Sequence, residues 1–317
     1  MRLRQQLYGV SVTPFAFVDG ALDRADHLRD DPAALAEAWP QAGIIALDAS
    51  GCALLDADGA LRQFSGAELP AGPDEHIFLG LRDGRAWFAA DAAHVPAART
   101  DSLDLRRAAA AWPAWQATLF AQARALQHWH QRYRYCPACG GTLQFVRAGW
   151  LARCAGCASE HYPRTDQAII AAITDGTRLL LGRQANWPAR RWSVVAGFVE
   201  PGETLEQTIA REVMEETGVR VHTQTARYLA SQPWPFPGAL MLGFIAHAEP
   251  DAPHASEELE DARWFSADEV RAGLARDWRE ADGDGEAEGI VLSSPISIAR
   301  YVIQMWLDEH QSARNGQ

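Results

Sequence analysis

The first 125 residues or so contain short apolar runs separated by turn signals. Residues 43–47 and 76–81 have the length and composition of strands. Asp83-Gly84 is a typical tight-turn pair. From residue 107 to 133 the apolar spacing becomes helical, with an interruption at Pro113. This pattern predicts a β-rich or mixed region, and no catalytic signature lies in it.

After Asp166 the alternation becomes more regular and predicts a sheet. A hairpin is expected from residues 167–174 and 177–182, with its turn at Asp175-Gly176. Further strands are expected at or near residues 192–199, 226–231, 240–248 and 262–265. Ser294-Pro295 is expected to open a last amphipathic helix, since Ser caps helices and Pro suits their first turn. No repeat of twenty residues or more is evident along the chain.

One predicted helix concentrates acidic residues. Thr204 and Gly218 are start and stop signals for a helix over residues 205–217. Its closely spaced glutamates, Glu212, Glu215 and Glu216, fall within an arc of about 100°. Such carboxylates repel one another unless a cation lies among them, and oxygen ligands suit Mg²⁺ or Mn²⁺. The apolar residues expected on the other side, against a sheet, are Ile209, Ala210, Val213 and Met214. The alternative is an exposed acidic face without function.

Four of the five cysteines form two Cys-x-x-Cys pairs, Cys136/Cys139 and Cys154/Cys157, with fourteen residues between the pairs. Two such pairs at hairpin spacing supply the tetrahedral sulfur set that Zn²⁺ prefers. All four ligands are sulfur, so the zinc is expected to be structural rather than catalytic. A thioredoxin-like redox pair and a nucleic-acid-binding ribbon are the alternatives. Cys52 is interpreted as a buried, apolar-like residue.

Composition and charge narrow the classes of function. The chain has 317 residues, 48% of them hydrophobic and 22% charged, which is typical of a globular protein with room for two domains. A net charge of −12 argues against a general nucleic-acid binder, but metal ions can still hold a polyphosphate. No signal peptide or membrane-spanning stretch is evident, so a cytoplasmic protein without membrane contact is expected.

The acidic helix belongs to a longer motif. From Gly197 the chain has five residues, Glu203, seven residues, and then Arg-Glu-Val-Met-Glu-Glu-Thr-Gly-Val at residues 211–219. This series resembles the Nudix box at each defined position. Together with the cysteine pairs and Ser-Gln-Pro-Trp-Pro-Phe-Pro at residues 231–237, it resembles the NADH pyrophosphatase (NudC-like) family of Nudix hydrolases, over residues 129–311. Glu203 and Arg211 are interpreted as an ion pair that holds the loop against the helix.

The resemblance implies a function and a set of site residues. It implies hydrolysis of NAD(H) to nicotinamide mononucleotide and AMP, removal of NAD caps from RNA 5′ ends, and a homodimer. The implied ligands of catalytic Mg²⁺ or Mn²⁺ are Glu212, Glu215, Glu216, Glu258 and the Ala196 carbonyl, with the three helix glutamates as catalytic residues. The implied substrate contacts are Tyr162, Phe198, Gln232, Pro233, Trp234, Pro235, Phe236, Pro237, Gly238, Ala239 and Ala299, with Tyr162 and Phe198 on the nicotinamide half.

The aromatic–proline segment, residues 231–237, is expected to form a stiff apolar ledge and not a central strand, because proline lacks a donor N–H. Related sequences commonly carry Gln-Ser after its last proline, whereas this chain has Gly238-Ala239. The change removes two hydrogen-bonding side chains and puts selectivity among dinucleotides in question. Arg106 and Arg107 are interpreted as a solvated helix face, with a phosphate contact as the alternative.

The predicted fold class is α+β: a Nudix α/β/α sandwich with a mixed sheet, preceded by a zinc ribbon and a smaller N-terminal mixed α/β domain. The expected boundaries are 1–128 for the N-terminal domain, 129–163 for the ribbon and 164–317 for the Nudix domain with its C-terminal helix. Two other functions stay open at this point. One is hydrolysis of another nucleotide, such as ADP-ribose or a dinucleoside polyphosphate, and the other is RNA-cap binding through the ribbon.

Overall fold

The computed structural model describes residues 15–20, 22–96, 101–282 and 289–315. The chain divides into two compact units. The first contains the chain up to Thr165 together with Pro233–Gly238, and the second contains Asp166–Gln232 and the chain from Ala239 onward. None of the helices in the described ranges combines the length and apolar character needed to cross a membrane.

The first unit is built on a six-stranded sheet. Its strands are β1 (Gly43–Leu47), β2 (Ala53–Leu54), β3 (Gln63–Ser65), β4 (Ile77–Arg82), β5 (Arg85–Asp91) and β6 (Ser102–Leu103). Its helices are α1 (Pro32–Ala38), α2 (Leu105–Ala111) and α3 (Ala114–Arg132), so the predicted interruption at Pro113 is confirmed. The strand order is β4-β5-β1-β2-β6, with β3 also on β1. Every residue of β1 is buried because core packs on both faces of the strand.

The ribbon belongs to the same unit and follows α3. It is a three-stranded sheet of β7 (Leu143–Val146), β8 (Leu151–Cys154) and β9 (Glu160–His161), in the order β7-β8-β9. Phe145 of β7 packs against Trp129 of α3, with ring centroids 5.2 Å apart, and stacks on His130 at 3.6 Å. The ribbon is therefore packed on α3 through aromatic contacts.

The second unit contains a second six-stranded sheet. Its strands are β10 (Asp166–Thr174), β11 (Arg178–Arg183), β13 (Val195–Phe198), β14 (Arg227–Trp234), β15 (Ala239–His247) and β16 (Asp261–Ser266). A short parallel pair, β12 (Arg191–Trp192) and β17 (Val291–Leu292), lies apart from it. The helices are α4 (Leu205–Thr217), α5 (Ala267–Ala275) and α6 (Ile298–Asn315). The strand order is β14-β15-β10-β11-β16, with β13 also on β10.

The two sheets have the same topology. β1 to β6 correspond in chain order to β10, β11, β13, β14, β15 and β16. In each sheet the first strand pairs antiparallel with the second and third strands and parallel with the fifth. The units differ after the third strand. There the second unit has α4, whereas residues 66–75 of the first unit contain only two short 3-10 turns, Gly66–Glu68 and Pro73–Glu75. The first unit thus repeats the sheet without the acidic helix.

Most predicted elements of the second unit are confirmed, and three boundaries differ. The hairpin around Asp175-Gly176 forms as expected. The single strand predicted over residues 192–199 is split into β12 and β13. The last helix begins at Ile298 and not at Ser294-Pro295, which precede it. The ledge also begins inside a strand, since β14 includes Pro233. Proline is tolerated there because β14 is at the edge of the sheet.

Candidate active site and zinc ribbon

Helix α4 forms for local reasons and carries the acidic residues. Thr204 caps its first turn, and its side chain and that of Gln207 bond reciprocally to each other's backbone N–H groups. Gly218 ends it in a left-handed conformation, with φ 70°. Ile209 and Val213 are fully buried against the sheet. The predicted helix over residues 205–217 is therefore confirmed at both ends.

The three glutamates differ in depth. Glu216 is only 9% exposed, whereas the side chain of Glu212 is 14% exposed and that of Glu215 is 61% exposed. Glu216 is seven residues after Ile209, which places the two about 20° apart around the helix. It therefore shares the inward face with the apolar residues, contrary to the prediction of separate sides. Met214 was expected in the core and is 43% exposed, because it is on the opposite side of α4.

Arg211 ties this face of α4 to the preceding loop. Its guanidinium donates to both carboxylate oxygens of Glu203, at 2.6 and 2.9 Å, so the predicted ion pair is present. It also donates to the Phe198 carbonyl at 2.9 Å. The remaining nitrogen, Nη1, bonds to Glu212 at 2.9 Å and to Glu215 at 3.1 Å. The hydrogen bond from Arg211 lowers the pKa of Glu203 to about 2. The Arg211 guanidinium therefore orients the carboxylates of Glu203, Glu212 and Glu215.

Gly197 of β13 allows the helix to approach the sheet closely. A Cβ built on Gly197 would lie 1.8 Å from the Cδ atom of Glu212. No side chain fits there without moving the carboxylate, since real contacts of this kind are essentially never under about 3 Å. Ala196, whose carbonyl is a predicted metal ligand, precedes Gly197 in the same strand and pairs with Ile170. Gly197 therefore fixes the distance between β13 and Glu212.

We expect Gly197→Ala to lower kcat by about a hundredfold, because a displacement of about 1 Å at a catalytic group can have that effect. The measurement is steady-state kinetics with NADH beside a melting curve. Gly72→Ala is the matched control, because a Cβ there meets only the free end of the Asp74 side chain. Equal kinetics for Gly197→Ala and the wild type would show that the Glu212 position is not critical.

The charges around Glu216 make a cation site physically reasonable. Burial, together with the nearby carboxylates of Glu212 and Glu258, raises the pKa of Glu216 to about 8. Burial also raises the pKa of Glu212, with contributions from Glu215 and Glu258 in the same direction. Negative charge in a poorly solvated place is stabilised by a bound cation, and carboxylate oxygens suit hard divalent ions. The donor set therefore fits such an ion in kind.

The glutamates do not converge as tightly as the cysteines. Within the described ranges, one group of three or more metal-ligating side chains gathers around a point, and it consists of the four cysteines. Glu212 and Glu215 instead share the Nη1 group of Arg211. Glu258 is exposed in the segment before β16. The structure thus brings Glu212, Glu216 and Glu258 near enough to interact electrostatically, with Glu215 held at the surface of the group.

The four cysteine sulfurs lie within 4.8 Å of one another. The Cys136–Cys157 distance is 3.8 Å and the Cys139–Cys154 distance is 3.4 Å. Sulfurs about 2.3 Å from a tetrahedral zinc would be about 3.8 Å apart, so the arrangement fits Zn²⁺. A hydrogen bond with Ser159, 3.3 Å away, is the main reason that the pKa of Cys136 falls to about 5. Cys52 is elsewhere and is half-buried, more exposed than predicted.

Three models of known protein families match successive parts of this chain. A model of the NUDIX domain matches residues 163–284, and one of the NADH pyrophosphatase zinc ribbon domain matches residues 131–162. A model of an NADH pyrophosphatase-like rudimentary NUDIX domain matches residues 43–129. The NAD-capped RNA hydrolase NudC of Mycobacterium bovis is 40% identical over 294 residues, covering 90% of this chain and 92% of that protein. The chain belongs to the NudC-like family of Nudix hydrolases.

Two further relatives extend the comparison. The NAD-capped RNA hydrolase NudC of Mycobacterium tuberculosis is also 40% identical, with the same coverage. Human NAD-capped RNA hydrolase NUDT12 is 37% identical over 204 residues, which cover 61% of this chain and 42% of that protein. In this NudC-like chain the rudimentary domain coincides with the first sheet and α2–α3. Between β3 and β4 this domain has two 3-10 turns in the place where the second unit has α4.

Among the predicted substrate contacts, the aromatic residues Tyr162 and Phe198 present open ring surface. Tyr162 is 61% exposed and Phe198 is 58% exposed, which excludes ordinary core packing for either ring. The Tyr162 hydroxyl donates to Glu160 at 3.0 Å. Phe198 is at the end of β13, and its carbonyl is held by Arg211. Exposed aromatic rings of this kind can stack on a flat ligand.

From Pro233 onward the ledge belongs to the first unit, and its aromatic residues are packed on the core of that unit. Trp234 and Phe236 contact each other edge to face, with centroids 4.9 Å apart, and both contact Phe17. Arg106 lies over them, with its guanidinium carbon 4.1 Å from the Phe236 centroid and 5.0 Å from the Trp234 centroid. Arg106 is therefore stacked on aromatic rings and is not simply solvated. Pro235 is buried, whereas Pro233 and Pro237 are exposed.

Gln232 and Ala299 are placed differently from a direct ligand contact. Gln232 is fully buried, and its amide nitrogen donates to the Ile296 carbonyl at 2.7 Å. Its amide oxygen accepts from Ile298 N–H at 2.8 Å, at the first residue of α6. Because the side chain is fully buried, it would have to move to contact a substrate directly. Ala299 is also buried, and its N–H donates to Ser297.

Proposed function

We propose that this chain is a metal-dependent hydrolase that cleaves the diphosphate of NAD(H) into nicotinamide mononucleotide and AMP, and that it removes NAD caps from RNA 5′ ends. The observation that supports this most strongly is the inward position of Glu216 on α4, crowded by Glu212 and Glu258. Carboxylates in this arrangement can hold a cation beside a diphosphate, because the cation then lies between the negative charges of the glutamates and those of the phosphate oxygens. The names of the relatives point to the same substrates.

In this proposal Mg²⁺ or Mn²⁺ is held by Glu212, Glu215, Glu216, Glu258 and the carbonyl of Ala196. When bound, the ion supplies Lewis acidity that neutralises charge developing on the diphosphate oxygens. A water oxygen attacks one phosphorus, the bridging P–O bond breaks, and one of the helix glutamates accepts the water proton. Arg211 keeps Glu212 and Glu215 oriented throughout. The chain itself thus contributes the base, the orientation of the acids and the exclusion of water around Glu216.

We propose that the dinucleotide is bound by the contacts that the family resemblance implies. Tyr162 and Phe198 offer exposed rings for the nicotinamide half. The other proposed substrate contacts are the ledge and the following Gly238-Ala239. Gln232 and Ala299 are buried, so we propose that they contribute by holding the backbone in place. Gly238-Ala239 offers no polar side chain, and Ala239 is buried as the first residue of β15. Selectivity must then come from the rings and the ledge.

The decisive test is product analysis after incubation with NADH. We expect equal amounts of reduced nicotinamide mononucleotide and AMP with Mg²⁺ or Mn²⁺, and none with a chelator. The kcat/KM for NADH should exceed that for ADP-ribose or a dinucleoside polyphosphate by at least about tenfold, the discrimination that one or two pocket contacts supply. A larger kcat/KM for either of those compounds would reassign the substrate.

The same preparation tests decapping. NAD-capped RNA is expected to lose its cap, and the matched RNA without the cap should not bind appreciably. Tight, steeply salt-dependent binding of uncapped RNA without any hydrolysis would instead indicate a binding module.

We also propose a homodimer, which light scattering of the purified chain would test. The proposed domain division is 1–128, 129–163 and 164–317. The cytoplasmic location also stays a prediction.

A further inference from the structure

Residues 249–260, here called the Glu258 segment, connect β15 to β16 and carry the exposed Glu258. The segment has no regular secondary structure, so its own backbone does not fix the position of Glu258. Locally, the N–H of Glu258 donates to the Ser256 hydroxyl at 3.2 Å. An exposed side chain on such a loop would ordinarily sample many positions. The contacts at the two ends of the segment therefore decide how well Glu258 is placed.

The first end is attached to the C-terminus of α4. The N–H of His254 donates to the carbonyl of Thr217, the last helical residue, at 3.0 Å. Asp251 accepts from the Arg220 backbone N–H at 3.2 Å and from its guanidinium at 2.8 and 2.9 Å. The Asp251 carbonyl accepts from the Trp264 indole at 2.8 Å. The His254 bond connects the segment directly to the helix that carries Glu212 and Glu216, whereas Asp251 is held by Arg220, just beyond the end of that helix, and by Trp264 of β16.

The His254 ring lies directly against the end of that helix. A Cβ built on Gly218 would be 1.9 Å from Cε1 of His254 and 2.6 Å from both ring nitrogens. The ring thus occupies the space that any other residue at position 218 would fill with its side chain. Gly218 serves two purposes, since its φ of 70° ends α4 and its missing side chain admits the ring. The close packing fixes the distance between His254 and α4.

The second end is attached to β11. Leu259 is buried, and a Cβ built on Gly182 would be 2.7 Å from its Cδ1 atom. The next residue, Glu260, donates its N–H to the Arg183 carbonyl at 2.8 Å and forms an ion pair with the Arg183 side chain. Only residues 255–258 lie between the two attachments. Glu258 adjoins Leu259 directly, so the burial of Leu259 restricts it from one side.

We propose that His254 and Leu259 are positioning residues that hold Glu258 beside Glu212 and Glu216, by packing the Glu258 segment against Gly218 at the C-terminal end of α4 and against Gly182 of β11. This rests on the proposed function, in which Glu258 is a ligand of the divalent ion. Neither residue touches the ion or the substrate in this account. Their effect is to keep a carboxylate from an irregular loop at a fixed place near two carboxylates from a helix, which reduces the ordering that ion binding would otherwise require.

The test is a double-mutant cycle between His254→Ala and Glu258→Gln, read as Mn²⁺ affinity by the EPR signal of free Mn²⁺ without substrate. Each single variant is expected to weaken Mn²⁺ binding by about 10-fold or more, as loss of a residue that orients a ligand typically does. The double variant should be no weaker than Glu258→Gln alone, because His254 acts only through Glu258. His254 is exposed, so its removal should leave folding intact. Leu259→Met is the second variant and should weaken Mn²⁺ binding to a smaller degree.

The ligand role of Glu258 and the positioning role of His254 can be tested separately. His247→Ala, an exposed histidine at the end of β15, is the matched control and should bind Mn²⁺ as the wild type does. If Glu258→Gln leaves Mn²⁺ affinity and NADH hydrolysis unchanged, the ligand role in the proposed function fails, and the positioning inference fails with it. If Glu258→Gln weakens binding but the effect of His254→Ala is absent or multiplies with it, only the positioning inference is overturned.

Discussion

Replacing Glu216 with Gln is expected to reduce kcat for NADH by roughly 10²–10³-fold while leaving the fold intact, the range found when one group that stabilises developing charge is removed. Gln has nearly the same shape, but its neutral amide cannot compensate a cation. The metal-free variant should also melt at a higher temperature than the wild type, because a buried carboxylate crowded by Glu212 and Glu258 is destabilising. Added Mn²⁺ should then raise its melting temperature less than it raises that of the wild type.

Opposite changes in activity and stability distinguish a functional acid from a structural one. Glu206→Gln is the matched control on the same helix, since Glu206 is exposed in the first turn of α4. It should change neither turnover nor the shift with Mn²⁺. Near-normal turnover of Glu216→Gln would remove Glu216 from the mechanism. A lower melting temperature of the metal-free variant would mean that its carboxylate is stabilised by the protein and needs no cation.

Features encoded by neighbouring residues were predictable from the sequence. The limits of α4 follow from Thr204, the apolar spacing and Gly218, all within fifteen residues of one another. The hairpin at Asp175-Gly176 and the ribbon cysteines are local in the same sense. The spacing of acids along one helix also identifies the candidate site. Such signals need no knowledge of what packs on the element.

Features that depend on packing were not predictable. The helical arc groups Glu212, Glu215 and Glu216 but does not say which of them faces the sheet, so Glu216 was not distinguished and Met214 was misplaced. The repeated sheet is invisible to a search for sequence repeats because strand pairing depends on apolar alternation and not on residue identity. The contact between Gly218 and His254 joins residues 36 positions apart, and no periodicity signals it.

Loss of one ribbon cysteine is expected to have the largest effect on stability. In Cys154→Ser the sulfur set is reduced to three. The wild type is expected to contain about one zinc per chain, and this variant should lose it. Structural zinc supplies on the order of 10 kcal/mol of folding free energy in small zinc domains, so β7–β9 should lose their structure. Trp129 is buried and packs on Phe145 of the ribbon, so its fluorescence should shift to the red. Elemental analysis and tryptophan emission measure the two effects.

Cys52→Ser is the matched control, because Cys52 is the one cysteine outside the two pairs. It should retain its zinc and its emission spectrum, since Sγ of Cys52 has only Ser50 within hydrogen-bonding range among the contacts described. Comparable zinc loss in both variants would mean general destabilisation and not loss of a ligand. Full zinc content in Cys154→Ser would mean that another side chain replaces the lost sulfur as a ligand. His161 is placed to do so, because its Nε2 atom is 3.5 Å from Sγ of Cys136. Zinc content in a Cys154→Ser/His161→Ala double variant would then decide, because only a replacement ligand makes zinc binding depend on His161.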